Sequence, residues 1–128
     1  MTLDRAAFQA WLDRYIAAWR SNDPAQVADL FSEDATYRHR PTDTPLHGRA
    51  AIVADWTDDP DDPATWQADH APLAIDGEIH VASGQSRYLA PDGGTDVLYS
   101  NVFVCRFDAE GRCSDFTEWW TLDRRFDA

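Results

Sequence analysis

The chain has 128 residues, a mass of 14.5 kDa and a formal net charge of −12, which comes from 19 Asp, 4 Glu and 11 Arg without any Lys. With 44% hydrophobic residues, this length predicts a single domain over residues 1–128 with a buried core. So acidic a chain repels phosphate backbones and anionic lipid, and this excludes nucleic acid and membrane surfaces as expected partners.

Short sequence signals add to these exclusions. The first residues lack the apolar core of a signal peptide and no run is long enough to span a membrane, so we expect a cytoplasmic protein. No closely spaced His, Cys or Asp motif is present, which predicts neither a metal site nor a cofactor. Cys105 and Cys113 are predicted on opposite faces of a hairpin, so no disulfide is expected.

The first half of the chain predicts three helices and one strand. An amphipathic helix is expected over residues 3–20, followed by a short second helix to about residue 31 that Asp23 caps, with Pro24 at its first position. Residues 35–40 read as a strand, 41–47 as a loop and 48–56 as a third helix. The buried stripe of the first helix is formed by Phe8, Trp11, Leu12, Tyr15, Ile16 and Trp19.

Residues 58–63 contain four Asp and two Pro, which predicts a solvated loop. From Trp66 onwards the pattern becomes one of strands, and Asp76-Gly77 is a strong tight-turn signal between 72–75 and 78–81. A long strand follows over 78–89, with a turn at 91–94. The register of this hairpin puts His70 and His80 on opposite faces unless a bulge intervenes.

A second hairpin is predicted over residues 96–123, because two alternating runs flank the turn at 108–111. One face of this hairpin is aromatic and apolar apart from one amide and one carboxylate. A carboxylate among aromatic rings either pairs with a cation or has its pKa raised. The predicted opposed pairs are Phe103 with Phe116, Asn101 with Glu118, and Tyr99 with Trp120, and they share their face with Cys105 and Leu122.

The order of elements predicts an α+β fold. Three N-terminal helices are expected to pack on one face of a cone-like, curved and mostly antiparallel sheet. The interior of such a cone is a natural place for a pocket.

Local strings along nearly the whole chain resemble one known superfamily. They are the first helix with Tyr15 and Trp19, Asp23-Pro24, residues 30–35, residues 48–52, and the closing hairpin with Phe107, Gly111 and Arg112. With this order of elements the chain resembles the nuclear transport factor 2-like superfamily, and within it the SnoaL-like branch with its ketosteroid isomerase and polyketide cyclase relatives. The superfamily includes isomerases, cyclases, dehydratases, epoxide hydrolases and non-catalytic modules, so the resemblance specifies a fold rather than a reaction.

The resemblance also implies site residues. Against ketosteroid isomerase, His39 would stand at the position of the general-base Asp and Tyr15 at that of the oxyanion-binding Tyr. Phe103 would replace the protonated Asp and has no proton to donate, so steroid isomerisation by that mechanism is not expected. SnoaL-like cyclases pair a pocket His with a carboxylate, and His39 with Glu118 would fill those parts.

The predicted catalytic set is Glu118, His39, Asn101 and Tyr15. Three of these residues have an alternative role: an edge or interface position for Glu118, a hydrogen-bonded wall position for His39, and core packing for Tyr15. The predicted ligand-binding walls are Trp19, Tyr37, Trp56, Tyr88, Tyr99, Phe103, Phe116 and Trp120.

Together these residues predict a domain that binds a small, largely apolar molecule. As an enzyme it would be a cofactor-free acid–base catalyst of the isomerase, cyclase, dehydratase or hydrolase type. The alternative is a non-catalytic ligand-binding or dimeric association module. A homodimer is expected through the outer sheet face, which carries Val102, Val104, Trp119 and Thr121.

Overall fold

The computed structural model describes residues 1–91 and 93–123, and Asp92 of the predicted turn at 91–94 lies outside them. Within these residues, every helix is too short or too polar to span a bilayer. The helices are α1 (Arg5–Ser21), α2 (Pro24–Leu30) and α3 (Arg49–Asp58). The strands are β1 (Phe31–Arg38), β2 (Leu46–His47), β3 (Trp66–Asp76), β4 (Ile79–Tyr88), β5 (Val97–Phe107) and β6 (Cys113–Leu122).

Helix α1 forms the centre of the core. The carboxylate of Asp4 caps its start by accepting from the backbone N–H of Ala7 at 2.8 Å, and Asn22 ends it in the left-handed conformation. Its buried face holds Trp11, which is fully buried and donates its indole N–H to the carbonyl of Leu30 at 3.1 Å. This bond ties the first helix to the end of the second.

Asp23 caps α2 with Pro24 in its first turn, as predicted. The chain then enters β1 at Phe31, so the strand predicted over 35–40 begins earlier and ends two residues sooner. Inside the predicted loop at 41–47, two residues form β2 and pair with β1. A strand this short leaves no alternating pattern that sequence could reveal.

The six strands form one curved sheet in the order β2-β1-β6-β5-β4-β3. The pair β1 and β6 is parallel, and every other neighbouring pair is antiparallel. The rings of α1 pack on the inner face of the sheet, where Trp11 meets Phe107 and Tyr15 meets Phe103. The α+β fold with a curved, mostly antiparallel sheet is confirmed.

The predicted register of the closing hairpin is wrong by two residues. Phe103 stands opposite Glu118, and Asn101 stands opposite Trp120. The turn is one residue longer than predicted, since Asp108 N–H donates to the carbonyl of Arg112, and an irregularity follows at Arg106. A shift of two residues preserves the face on which each side chain lies, so the predicted aromatic face survives the change of partners.

The two cysteines do not lie on opposite faces. Cys105 and Cys113 are both fully buried free thiols in the same core cluster. The irregularity between Arg106 and Phe107 displaces the start of β6 by one position, which turns Cys113 inward. Burial, together with the neighbouring thiol of Cys113, raises the pKa of Cys105.

The hairpin of β3 and β4 contains a bulge, so the predicted placement of His70 and His80 on opposite faces does not hold. Its register shifts between Pro72 and Ala74, and the intervening Leu73 is exposed. His70 and His80 are therefore both buried on the inner side of the sheet.

Candidate ligand-binding and acid–base site

A cavity of about 590 Å³ lies between α1, α3 and the inner face of the sheet. All four predicted catalytic side chains, Glu118, His39, Asn101 and Tyr15, contribute to its lining. Its volume is in the range of pockets that enclose drug-sized molecules. The predicted wall residues that line it are Trp19, Tyr37, Trp56, Tyr88, Tyr99, Phe103 and Trp120.

Phe116 is the one predicted wall residue outside the lining. It is fully buried, and its ring stacks on Tyr37 at 4.6 Å between centroids and on Tyr15 at 5.7 Å. Phe116 thus supports two lining tyrosines from beneath the cavity floor.

Glu118 is the carboxyl group of the cavity floor. Its Oε2 accepts a 2.7 Å hydrogen bond from Asn101 Nδ2, and Asn101 Oδ1 accepts one of 3.1 Å from the hydroxyl of Ser86. Burial raises the pKa of Glu118 to about 7, while Asn101 and the charge of His39 act in the opposite direction. The chain Ser86–Asn101–Glu118 is a polar strip on an otherwise aromatic floor.

No arginine among the described residues lies within ion-pairing distance of Glu118. A structural carboxylate at a buried position is normally neutralised by such a cation. With a pKa near neutrality, Glu118 can instead both accept and return a proton at physiological pH.

His39 lies at the rim of the cavity, directly after β1. Its Nε2 is 2.7 Å from Oδ2 of Asp55 on α3, and half of its side chain is exposed. Its ring also meets that of Tyr37 edge to face at 4.9 Å. The hydrogen-bonding partner of His39 is therefore Asp55, while its influence on Glu118 is through charge.

Tyr15 and Tyr37 bring two hydroxyl groups together at the inner wall. Burial is the main cause that raises the pKa of each phenol, and the two hydroxyls interact with each other. Trp56 packs edge to face on Tyr15 at 5.0 Å. Phenols held this firmly in the neutral state serve as hydrogen-bond donors and not as bases.

The mouth of the cavity is acidic. Asp59 and Asp61 of the predicted solvated loop line it, and Asp61 accepts from the indole N–H of Trp19 at 3.1 Å. On the opposite side, the guanidinium of Arg40 lies over the ring of Trp120 at 4.4 Å. The acidic loop is thus part of the cavity wall as well as of the surface.

Sequence reasoning missed two polar residues of the floor, Ser86 and His70. Ser86 lies two residues before Tyr88, so strand alternation puts both on the same face and could have predicted Ser86 as a cavity residue. The inward position of His70 depends on the bulge at Leu73, and the local sequence does not predict this bulge.

The fold and the cavity define a class of protein: a curved sheet packed against helices around an aromatic pocket, with the partly buried carboxyl group of Glu118 on its floor. A family model described as SnoaL-like domain matches residues 12–116, and the chain belongs to that family, within the nuclear transport factor 2-like superfamily. The resemblance inferred from the sequence is confirmed. Among proteins with curated descriptions, none matches the chain.

Proposed function

We propose that this protein binds a largely apolar small molecule in the cavity and transfers a proton to or from it without a cofactor. The observation that carries the proposal is the partly buried carboxyl group of Glu118, which has a pKa of about 7 and faces an aromatic cavity. Perturbed titratable groups in clefts cluster at functional sites. An apolar ligand would exclude water and strengthen every polar contact on the floor.

In this proposal each side chain has a distinct role. Glu118 accepts a proton from carbon or oxygen of the ligand and later returns it. Asn101 orients the carboxyl group through its 2.7 Å hydrogen bond, and Tyr15 donates to an oxygen that becomes negative during the reaction. His39, held by Asp55 at the rim, exchanges protons between Glu118 and solvent.

A proton-exchange assay tests the chemistry without the natural substrate. In D₂O, abstraction of a proton next to the carbonyl of 2-tetralone gives an enolate, and return of a deuteron labels the ketone. We expect the protein to raise the rate of labelling above that of buffer alone, and Glu118→Gln to remove that increase because the amide cannot accept a proton. Proton NMR of the ketone measures the rate.

The matched control is Glu33→Gln, which removes an exposed carboxylate of β1 remote from the cavity lining. It should label 2-tetralone as fast as the unmodified protein. Equal rates in Glu118→Gln and the unmodified protein would remove Glu118 from the mechanism. If 2-tetralone binds without any labelling, the non-catalytic ligand-binding module is the better description.

We also propose a homodimer through the outer sheet face. Trp119 is 44% exposed there and pairs across the strands with Val102, so an apolar patch faces solvent. Light scattering should give about twice 14.5 kDa, and Trp119→Arg should give a monomer because it places a charge in the interface. A monomeric mass for the unmodified protein would contradict this.

A further inference from the structure

Two buried histidines lie on neighbouring strands, and one of them is fully satisfied. His80 has no exposed surface, its Nε2 accepts from the backbone N–H of Leu3 at 2.9 Å, and its Nδ1 lies 2.9 Å from the carbonyl of Glu78. Both ring nitrogens thus have partners within the fold. His80 is a structural residue.

His70 on β3 differs from His80 because it lines the cavity and its ring nitrogens are not paired within the described part of the chain. It lines the cavity and is 8% exposed, yet neither ring nitrogen has a hydrogen-bond partner among the described residues. Burial lowers its pKa to about 4, although the charge of Asp69 and a hydrogen-bonding interaction with the Asn101 side chain, which falls short of a well-formed hydrogen bond, act in the opposite direction. A neutral ring at physiological pH offers one donor and one acceptor, and leaving both unpaired in a buried position is unfavourable.

A glycine of the neighbouring strand lies against this ring. Gly84 of β4 pairs with His70 on one side and with Asn101 on the other. A Cβ atom at position 84 would stand 2.7 Å from Cδ2 of His70, so the imidazole lies where a side chain would otherwise be. This placement stacks it on Phe103, with 4.4 Å between ring centroids, and beside the amide that holds Glu118.

Gly84 also permits the close approach of the two backbones, because its added Cβ would lie 1.9 Å from the carbonyl oxygen of Asp69. Both the β3 backbone and the imidazole of His70 therefore lie against this glycine. The unpaired imidazole carries a free-energy cost, and a ligand that supplies the missing partner would offset that cost.

We propose that His70 is a further ligand-contacting residue, which pairs with a hydroxyl or carbonyl oxygen of an uncharged, otherwise apolar ring compound. The inference deepens the proposed function, since it takes the same cavity as the binding site. The imidazole is nearly symmetric in shape, so a half-turn about its Cβ–Cγ bond exchanges nitrogen and carbon positions without new space. The carboxylates of Asp55, Asp59 and Asp61 outnumber the single guanidinium of Arg40 in the lining, which disfavours an anionic ligand.

Two probes of similar size test the preference for oxygen: 2-naphthol carries a hydroxyl where 2-methylnaphthalene carries a methyl group. Nitrogen-15 NMR of the imidazole rings reports hydrogen bonding directly. We expect 2-naphthol to shift the ring nitrogen signals of His70, 2-methylnaphthalene to leave them in place, and the signals of His80 to stay unchanged with either compound. Saturation with 2-naphthol without a shift at His70 would overturn the inference.

Affinities measured by quenching of tryptophan fluorescence give a second readout. In the unmodified protein 2-naphthol should bind roughly tenfold more tightly than 2-methylnaphthalene, the value of one good hydrogen bond. His70→Phe keeps an aromatic ring against Phe103 and should abolish the preference without weakening 2-methylnaphthalene, whereas His70→Gln should retain part of it. If His70→Phe does not fold, the NMR experiment on the unmodified protein still tests whether His70 contacts the ligand.

The outcomes separate the two proposals. Equal binding of both probes, with no change at His70, overturns the role of His70 and leaves the cavity as the binding site. Binding of neither probe overturns both proposals. A preference for 2-naphthol that survives in His70→Phe shows that another group holds the ligand oxygen, and it overturns the role of His70.

Discussion

Gly84→Ala is expected to destabilise the fold by about 3 kcal/mol or more, the upper part of the range for overpacked interiors. The added Cβ would lie 1.9 Å from the backbone carbonyl oxygen of Asp69 and 2.8 Å from Cα of His70. A backbone atom cannot turn away as a flexible side chain can, so the pairing of β3 with β4 must open. Urea unfolding followed by circular dichroism measures the loss, and His70 should lose its contact with Phe103.

The matched control is Gly111→Ala in the turn between β5 and β6. Gly111 has φ +79 and nothing within 4 Å of its added Cβ, so the substitution tests backbone strain without a clash. It should cost only about 1–2 kcal/mol. An equal loss in the two variants would show that the close approach at Gly84 has no energetic importance.

Glu118→Gln is expected to raise the free energy of unfolding at pH 8 by up to about 3 kcal/mol. The pKa of Glu118 is raised from 4.5 to about 7 in the folded protein because burial penalises the charge. Between these two values the unfolded chain loses the proton while the folded chain keeps it, so stability falls as the pH rises. The amide has no charge to bury and can still accept the hydrogen bond from Asn101.

Unfolding measured between pH 4 and pH 8 tests this prediction. As the pH rises from 4.5 to about 7, the unmodified protein should lose stability relative to Glu118→Gln. The free energies of unfolding of the two proteins should converge near pH 4. His70 has the opposite effect on stability. Its pKa is lowered from 6.5 to about 4 in the folded protein, so the free energy of unfolding falls as the pH drops below 6.5. Glu33→Gln should match the unmodified protein, and parallel curves for Glu118→Gln would contradict the burial of the charge.

The sequence predicted the face on which most side chains of the closing hairpin lie, but it did not predict which residues stand opposite each other. Alternation places Asn101, Phe103 and Glu118 on one face whatever their partners, because the side-chain period of a strand is two residues. The exact partners depend on where the turn closes, and here it closes from Asp108 to Arg112. One residue more in the turn and one irregularity changed every pair and turned Cys113 inward, while Phe116 and Glu118 kept their predicted face.

Bulges account for the positions that alternation assigned wrongly or left open. Cys113 turned inward because the ladder is irregular beside Phe107, and His70 faces the cavity because Leu73 is expelled from the β3 ladder. A bulge is settled by the packing of both strands and the helix above them, so it has little local signature.

The environment of Glu118 was predictable as a pair of alternatives, a cation-paired group or one with a raised pKa. Sequence could not decide between them, since the answer depends on which side chains reach the cavity from distant elements. Asn101 reaches Glu118 along a diagonal of the ladder, and His39 is held away by Asp55 of α3. Such contacts are fixed by the assembled fold alone.

The place of β6 in the sheet has a consequence for how the chain is made. This strand is the last along the described chain, yet it lies between β5 and β1, where Phe31 pairs with Cys113. During synthesis β1 can pair only with the two residues of β2 until β6 leaves the ribosome. Such high contact order slows folding, and the open edge of β1 is exposed to other chains in the meantime. A nascent chain halted before residue 113 therefore holds its sheet in two unjoined pieces.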